Sequence, residues 1–520
     1  MPLIVLGLAL GASSWAREPV LPFETAEVAA PKGKIDELVF AKLKEKGIQP
    51  ARPCSDPVFV RRVYLDAIGT LPTAQEARDF IDDQDPKKRS ALIDRLLARD
   101  EYADYWALKW CDLLRVKAEF PINLWPNAVQ AYHRWVRTCF AQNMPYDQFA
   151  RELLTASGSN FRTPQVNFYR AMQARQPEAI ARTVALTFMG ARAEKWPKEK
   201  LAGMAAFFNQ VAYKRTAEWK EEIVYFDPFK PTAAGGARPV LAAFPDGKPA
   251  TITQGVDPRK VFADWLIQAN NPSFAPPVAN RYWYWLVGRG IVHEVDDFRS
   301  DNPPANPDLL AYLAKEFVAA KYDFKQLMRL ILNSQTYQLS SIVAAPHPEA
   351  EAQFAFYVPR RVDAEVLIDA ICQITGSTEE YSSPIPEPFT WIPENQRSIA
   401  LSDGSISSPF LELFGRPPRD SGLESERNNR STPAQRLHML NSSHILRKIR
   451  NSSLLREQIR GSDAGSASRK LYMTILSRPP TDQELGQIKE YAYAGDAQGQ
   501  EALVDIVWAL FNSAEFLYRH

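Results

Sequence analysis

One acidic segment, "RGIVHEVDDFRSDNPP", holds the side chains of this chain that are best suited to chemistry. Its candidate ligand-binding or cation-binding residues are Asp296, Asp297, Arg299 and Asp301. Grouped aspartates can hold a hard cation such as Ca²⁺ through oxygen ligands, and paired carboxylates can act as acid and base. The alternative is a loop of Asx turns and Asp–Arg pairs that leads to a helix N-cap at Asn306. The spacing is not that of an EF-hand loop, so the signal for a metal is weak, and no metal ligand is assigned.

A second polar cluster lies in "ESERNNRSTP" and supplies Glu426 and Arg427 as further ligand candidates, beside Glu424 and Arg430. Guanidinium groups bind anions through paired hydrogen bonds, so this cluster can clamp an anionic ligand. The alternative is a salt-bridged approach to a helix that Thr432 caps. Both interpretations remain open from the sequence.

A third cluster is aromatic and consists of Trp106, Trp110, Trp125, Tyr132 and Trp135. Exposed tryptophans flanked by polar groups often stack against sugars. However, Trp106 and Trp110 are four residues apart and therefore share one helix face, as core side chains do. We expect this cluster to belong to the hydrophobic core.

Several common catalytic signatures are absent from the sequence. There is no H-E-x-x-H, no G-x-S-x-G, no G-x-x-x-x-G-K-[ST] and no G-x-G-x-x-G. The four cysteines form no C-x-x-C pair, so neither a haem attachment nor a zinc ribbon is present, and no cofactor is predicted. The formal net charge of +1 argues against a nucleic-acid partner.

The remaining cysteines and histidines give no strong site by themselves. Cys111 and Cys139 are the first candidates for a disulfide in an exported protein. Cys111 ends a Trp-rich helical stretch, however, and fits an inert buried thiol at least as well. His438 and His444 are six residues apart, a spacing that does not place two side chains on one helix face.

The elements that must position these residues are mainly helices, since apolar residues recur every three to four positions. The predicted fold class is mainly α, with two helical lobes and a small β element at their junction. We predict an N-terminal helical domain at residues 33–226, a Pro/Gly-rich junction at residues 227–257 and a C-terminal helical domain at residues 258–520.

A charged knot, residues 192–200, interrupts the helical pattern within "TFMGARAEKWPKEKLAGMAAFF". Two apolar, helix-like runs flank this knot. Trp196 and Pro197 mark a turn before a helix that begins near Lys198. We predict that the knot is a structural connection between helices.

The first residues of the sequence have the pattern of an export signal. Residues 3–12 are an apolar run too short to span a bilayer, and the small residues Ser14 and Ala16 fit a cleavage site. We therefore predict a signal peptide at residues 1–16 and a periplasmic or extracellular location. No membrane span is expected after the signal is removed.

Long stretches of both halves of the chain resemble a known family. They are "IDELVFAKLKEKGIQPARPCSDPVFVRRVYLDAIGTLPTAQEARDFI", "RLLARDEYADYWALKW", "DPRKVFADWLIQANNPSFAPPVANRYWYWLVGRGIVHEVDDFRSDNPPANPDLLAYLAKEF", "LFGRPPRD" and "LSRPPTDQEL". Together they resemble the paired domains of unknown function abundant in planctomycetes and verrucomicrobia, whose larger relatives often carry a planctomycete-type cytochrome c domain. The resemblance implies an exported protein, and it carries no catalytic residue over to this chain.

The resemblance also implies which features this chain lacks. Many relatives carry a C-x-x-C-H-type stretch just after the F-x-G that matches residues 188–190, whereas residues 191–196 here contain no cysteine or histidine. A second cysteine-bearing position in relatives precedes the E-R pair at residues 426–427, where Leu423 and Ser425 stand here. Haem or thiol chemistry is therefore not expected at either position.

The sequence supports two main functional hypotheses, and a redox role ranks third. The first is a non-catalytic binding or assembly protein that works with extracytoplasmic partners, either electron-transfer or polymer-degrading proteins. The alternative is an enzyme that acts on an extracellular polymer through residues 296–301. An enzyme needs these carboxylates in a water-accessible cleft, so a buried Asp297–Arg299 pair without an adjoining cavity would exclude this loop as a catalytic site.

Overall fold

The computed structural model describes residues 18–230, 241–494 and 500–520. The predicted signal peptide at residues 1–16 lies outside the described residues, and so does the middle of the predicted junction, residues 231–240. Within the described part, no helix combines the length and the apolar character that crossing a membrane requires.

Helices dominate the described chain, which confirms the mainly α prediction. Those that precede the predicted junction are α1 (Lys34–Glu45), α2 (Asp56–Ile68), α3 (Ala74–Asp82), α4 (Lys88–Leu97), α5 (Asp100–Leu113), α6 (Pro126–Ala141), α7 (Tyr146–Thr155), α8 (Asn167–Arg170), α9 (Pro177–Met189) and α10 (Lys198–Ala205). Those that follow it are α11 (Pro258–Leu266), α12 (Ala275–Val287), α13 (Pro307–Ala319), α14 (Phe324–Leu332), α15 (Ala364–Thr375), α16 (Pro409–Leu413), α17 (Pro433–Asn441), α18 (Ser443–Asn451), α19 (Ser453–Ile459), α20 (Ala464–Leu476), α21 (Asp482–Ala494), α22 (Gln500–Phe511) and α23 (Ala514–Leu517).

Two small antiparallel sheets complete the described fold. The first consists of β1 (Gly158–Ser159), β2 (Val211–Arg215) and β3 (Glu222–Phe226), in the order β1-β3-β2. The second pairs β4 (Arg360–Arg361) with β5 (Tyr518–Arg519). Because β3 ends directly before residue 227, the first sheet lies beside the predicted junction. The domain limits themselves stay predictions.

Local side-chain caps explain where several helices begin. The Thr73 hydroxyl accepts the Glu76 N–H at 3.2 Å, while the Glu76 carboxylate accepts the Thr73 N–H at 2.8 Å. The Asn306 side chain likewise accepts the Leu309 N–H at 3.0 Å. These bonds satisfy amide groups that have no partner inside the first helical turn.

Both halves of the chain contribute to one continuous hydrophobic core. Trp106 stacks on Tyr282 with ring centroids 4.6 Å apart and the planes 6° from parallel. The core interpretation is confirmed for Trp106, Trp110 and Tyr132, which are buried, whereas Trp125 and Trp135 are only half-buried and pack against the core. The stacking therefore joins α5 of the N-terminal half to α12 of the C-terminal half.

Candidate functional site

We call residues 296–301 the acidic loop. A cavity of about 940 Å³ opens where the knot meets this loop. Its wall also includes side chains from residues 244–249 and 265–277. The knot contains the 3₁₀ helix Ala193–Lys195, and α10 begins at Lys198 as predicted. The knot is therefore a short connection between helices that also lines a cavity, directly beside the acidic loop.

Arg281 on α12 fixes the acidic loop against the end of α9. Its fully buried guanidinium donates to the Asp296 carboxylate at 2.7 Å and to the carbonyls of Leu186 and Thr187. A buried charge without a partner is strongly destabilising, so these contacts hold the loop and the helix end in one arrangement. The buried Asp296 side chain thus fixes the position of the acidic loop through its pair with Arg281.

Gly190 allows the acidic loop to approach the end of α9 closely. Its carbonyl accepts the Phe298 N–H at 2.9 Å, and its φ of +57° lies in the left-handed region that glycine favours. A Cβ atom here would lie 3.1 Å from the Phe298 ring and 3.2 Å from the Cβ atom of Pro277. The helix that precedes the knot therefore ends at a position that needs glycine for both its backbone angle and its space.

The other predicted residues of the acidic loop form a chain of ion pairs on the cavity wall. Arg299 contacts Asp297 at 3.1 Å and Asp301 at 3.3 Å. Lys195 of the knot lies 3.5 Å from Asp297. Asp297 is buried, whereas Arg299 and Asp301 are exposed. The structure thus brings these residues together around Arg299 and directs Asp296 away from them.

The described residues contain no group of three or more His, Cys, Asp and Glu side chains that could hold a metal ion. In the acidic loop the reason is geometric. Asp296 pairs with Arg281, while Asp297 and Asp301 pair with Arg299, so the three carboxylates are directed at guanidinium groups.

Cations outnumber carboxylates on the cavity wall. The charged lining residues are Arg192, Lys195, Lys200, Asp246, Lys248, Asp297, Arg299 and Asp301. Lys248 contacts Asp246 at 3.2 Å, so all three carboxylates have cation partners. Within the described residues, Arg192 and Lys200 form no ion pair, and the Nε atom of Arg192 is buried without a hydrogen-bond partner. Burial lowers the pKa of Lys200, and the Asp246 carboxylate, beyond ion-pair distance, only partly opposes this shift.

Aromatic rings form the apolar part of the cavity wall. The rings of Phe244 and Trp265 stack with centroids 5.1 Å apart and planes 16° from parallel. The Lys200 ammonium lies 4.2 Å from the centroid of the Trp196 ring, a cation–π contact within the knot. The cavity therefore combines apolar ring surface with unpaired positive charge.

Arg427 lies in a buried ionic network between the two halves of the chain, away from the cavity lining. Its guanidinium donates to Asp112 and to Glu365, each at 2.7 Å. Burial by itself would lower the pKa of Arg427, but Glu365 and Asp112 hold this pKa well above its ordinary value. The neighbouring Glu426 carboxylate accepts the Ser421 N–H at 2.7 Å. Because Asp112 and Glu365 already accept hydrogen bonds from the Arg427 guanidinium, this group is not free to bind an anionic ligand in this arrangement.

Glu424 is a residue of the second cluster whose surroundings sequence reasoning missed. Its backbone N–H donates to Asp296 at 2.7 Å, across 128 positions of the chain. Burial, followed by the nearby Asp296 carboxylate, raises the pKa of Glu424 to about 7. No local pattern signals this contact, because capping and helical periodicity extend only a few residues along the chain.

The acidic loop contacts the chain next to both positions at which the resemblance implies cysteines in relatives. Residues 191–196 follow Gly190, whose carbonyl binds Phe298. Leu423 and Ser425 flank Glu424, whose N–H binds Asp296. The two positions are therefore attached to neighbouring points of one loop, although they are far apart in the sequence.

Two histidines that do not share a helix face nevertheless meet in a second cleft of about 760 Å³. Ser442 separates α17 from α18 and caps α18, which brings the His438 and His444 ring centroids to 5.9 Å. The Nε2 atom of His444 lies 2.9 Å from the Glu379 carboxylate. The spacing of six residues was compatible with this contact only because the helix breaks between the two histidines.

The fold and site define a mainly α protein with a cavity of charged and aromatic side chains from four chain segments. The family model PSCyt2, a protein of unknown function (DUF1549), matches residues 34–213. The model PSD1, a protein of unknown function (DUF1553), matches residues 258–492. The chain therefore carries both of these paired domains of unknown function, which confirms the resemblance. Searches of curated proteins and of solved structures find no match.

Proposed function

We propose that this protein is an exported binding or assembly protein, and that its cavity holds an anionic group of an extracytoplasmic partner. The observation that carries the proposal is the pair of cations at Arg192 and Lys200, which line the cavity without an ion-pair partner in the described part of the chain. An anionic group of a partner would supply the missing charge.

The composition of the cavity wall supports a binding role. Desolvated cations attract anions more strongly than fully hydrated ones, and Lys200 is partly buried against Trp196. The stacked rings of Phe244 and Trp265 add apolar surface beside these charges. Ligand sites commonly combine such apolar surface with a few placed polar groups.

The enzyme hypothesis retains one supporting observation. The Asp297–Arg299 pair is not sealed in the interior, because Arg299 is exposed and both residues line the cavity. However, Asp297 and Asp301 both have Arg299 within 3.3 Å. A general acid or base must exchange its proton with the substrate, so carboxylates engaged by a guanidinium favour binding over catalysis.

The binding proposal is tested by affinity capture from the native cell envelope, with the tagged full-length protein as bait and mass spectrometry as the readout. The double variant Arg192→Ala/Lys200→Ala should lose a partner that the unmodified protein retains. Arg78→Ala/Lys44→Ala is the matched control, because it removes an arginine and a lysine that are exposed elsewhere on the surface. Capture of the same partner by the cavity variant, or of no specific partner by any form, would refute the proposal.

One further variant separates the binding proposal from the enzyme alternative. Asp301→Asn removes negative charge from the cavity wall and leaves Arg299 with Asp297 as its remaining carboxylate partner. An anion-binding cavity should then retain its partner at least as well as before. Loss of the partner in this variant would favour a role for the Asp301 carboxylate itself.

Export is a separate part of the proposal and has its own test. The signal-like pattern at residues 1–16 motivates it. Intact mass of the protein recovered from the periplasmic or extracellular fraction should correspond to a chain that begins at Arg17. Recovery of the uncleaved chain from the cytoplasm alone would refute export.

A further inference from the structure

Aromatic rings from three separate segments meet on a surface that shares no residue with the cavity lining. We call Trp125, Trp219, Phe389 and Lys220 the aromatic platform. The Trp125 ring centroid lies 6.4 Å from that of Trp219 and 5.3 Å from that of Phe389. Trp219 is 70% exposed and Phe389 is 47% exposed. Large rings exposed together in this way mark interaction sites more often than single exposed side chains do.

The backbone at two platform residues takes angles that bulky residues rarely adopt. Trp125 has a φ of 75° and a ψ of 146°, a region populated almost entirely by glycine. Lys220 has a φ of 62°, in the left-handed region. The fold therefore holds both side chains in place against local backbone preference, which is a common property of ligand-binding positions.

Lys220 gives the aromatic platform a positive charge. Its ammonium lies 4.8 Å from the centroid of the Trp125 ring and 5.4 Å from that of the Trp219 ring. The side chain is exposed, and it has no ion-pair partner within the described residues. A ligand for this surface should therefore combine flat apolar faces with negative charge.

We propose that the aromatic platform binds an acidic polysaccharide. The C–H faces of sugar rings stack on the exposed rings of Trp219 and Phe389, and a carboxylate or sulfate of the polymer pairs with the Lys220 ammonium. Rings suit this task because their negative π faces attract the polarised C–H groups of a sugar. The rigid indole and phenyl groups also lose little conformational entropy on binding.

The test is affinity gel electrophoresis of the purified full-length protein in gels cast with polygalacturonate, a sulfated galactan or neutral dextran. The two acidic polymers should retard the protein, and dextran should not. Trp219→Ala should weaken the apparent affinity roughly tenfold, the equivalent of about 1.4 kcal/mol. Phe229→Ala is the matched control, because Phe229 is an exposed ring outside the platform and its removal should leave retardation unchanged.

A second pair of variants tests the charge. Lys220→Met should weaken binding of the acidic polymers, whereas Lys220→Arg should retain most of it, and added salt should weaken binding by the unmodified protein. Circular dichroism of each variant establishes that it folds. Equal retardation of Trp219→Ala and the unmodified protein, equal retardation in dextran, or no retardation in any gel would each overturn the proposal.

Discussion

The Arg281 guanidinium and the Asp296 carboxylate form an ion pair at 2.7 Å, with both side chains sealed from solvent. The same guanidinium donates to the carbonyls of Leu186 and Thr187 at the end of α9. One buried side chain therefore connects α12, the acidic loop and the helix that leads into the knot. The shape of the cavity depends on a pair that does not itself line the cavity.

Replacing Arg281 by Met should therefore destabilise the protein strongly. The substitution leaves Asp296 buried without its cation, which costs about 3–5 kcal/mol in comparable cases. The measurement is the free energy of unfolding from urea denaturation. Arg289→Met is the matched control, because Arg289 pairs with the exposed Glu351 and its loss should cost no more than about 1 kcal/mol. Similar losses in the two variants would contradict a structural role for the buried pair.

The substitution Gly190→Ala should destabilise the protein by more than its backbone angle alone explains. The left-handed conformation costs alanine roughly 1 kcal/mol, and contact with Phe298 should add roughly 1–3 kcal/mol of overpacking. Gly47→Ala isolates the backbone cost, because Gly47 has a φ of +67° and no atom within 4 Å of an added Cβ. Urea denaturation of both variants measures the difference in their free energies of unfolding. Equal losses of stability would show that the acidic loop shifts to accommodate the extra methyl group without cost.

Glu424 should make stability depend on pH near neutrality. Burial, with Asp296 as the second cause, raises the pKa of Glu424 from 4.5 to about 7. A carboxyl group with a raised pKa binds its proton more tightly in the folded state. Its stabilising contribution is therefore full below about pH 4.5 and is lost as the pH rises through about 7.

The variant Glu424→Gln tests the direction of this pH dependence, because glutamine mimics the protonated carboxyl at every pH. Relative to the unmodified protein, the variant should gain stability between pH 5 and pH 8, by at most about 3 kcal/mol. Urea denaturation across this range measures the change, and Glu194→Gln, at an exposed position, serves as the control that should show no such trend. A difference that stays constant with pH would rule out titration of Glu424 in this window.

The cysteines should be present as unreactive thiols. All four are free, and burial raises the pKa of Cys111 to about 12, so little reactive thiolate forms at neutral pH. Cys372 is the only one that is not fully buried and should react first with a thiol reagent. Denaturation without reductant should then expose four thiols. Two thiols would instead indicate that Cys111 and Cys139 form the disulfide considered from the sequence.

The sequence by itself determined the features that depend on neighbouring residues. Thr73 and Asn306 start helices because their side chains reach an amide only three positions away. Trp106 and Trp110 enter the core because a spacing of four residues places them on one helix face. The helical fold class and the start of α10 at Lys198 follow from the same short-range rules.

Only the tertiary structure decided which distant residues meet. The Gly190 carbonyl accepts the Phe298 N–H, and Arg427 donates to Asp112, which lies 315 positions away in the sequence. Packing of the two halves of the chain brings these segments together. The knot and the acidic loop had separate interpretations in the sequence and share one cavity in the fold. Local spacing cannot encode such contacts, since each depends on the relative placement of helices that the chain connects only through long intervening segments.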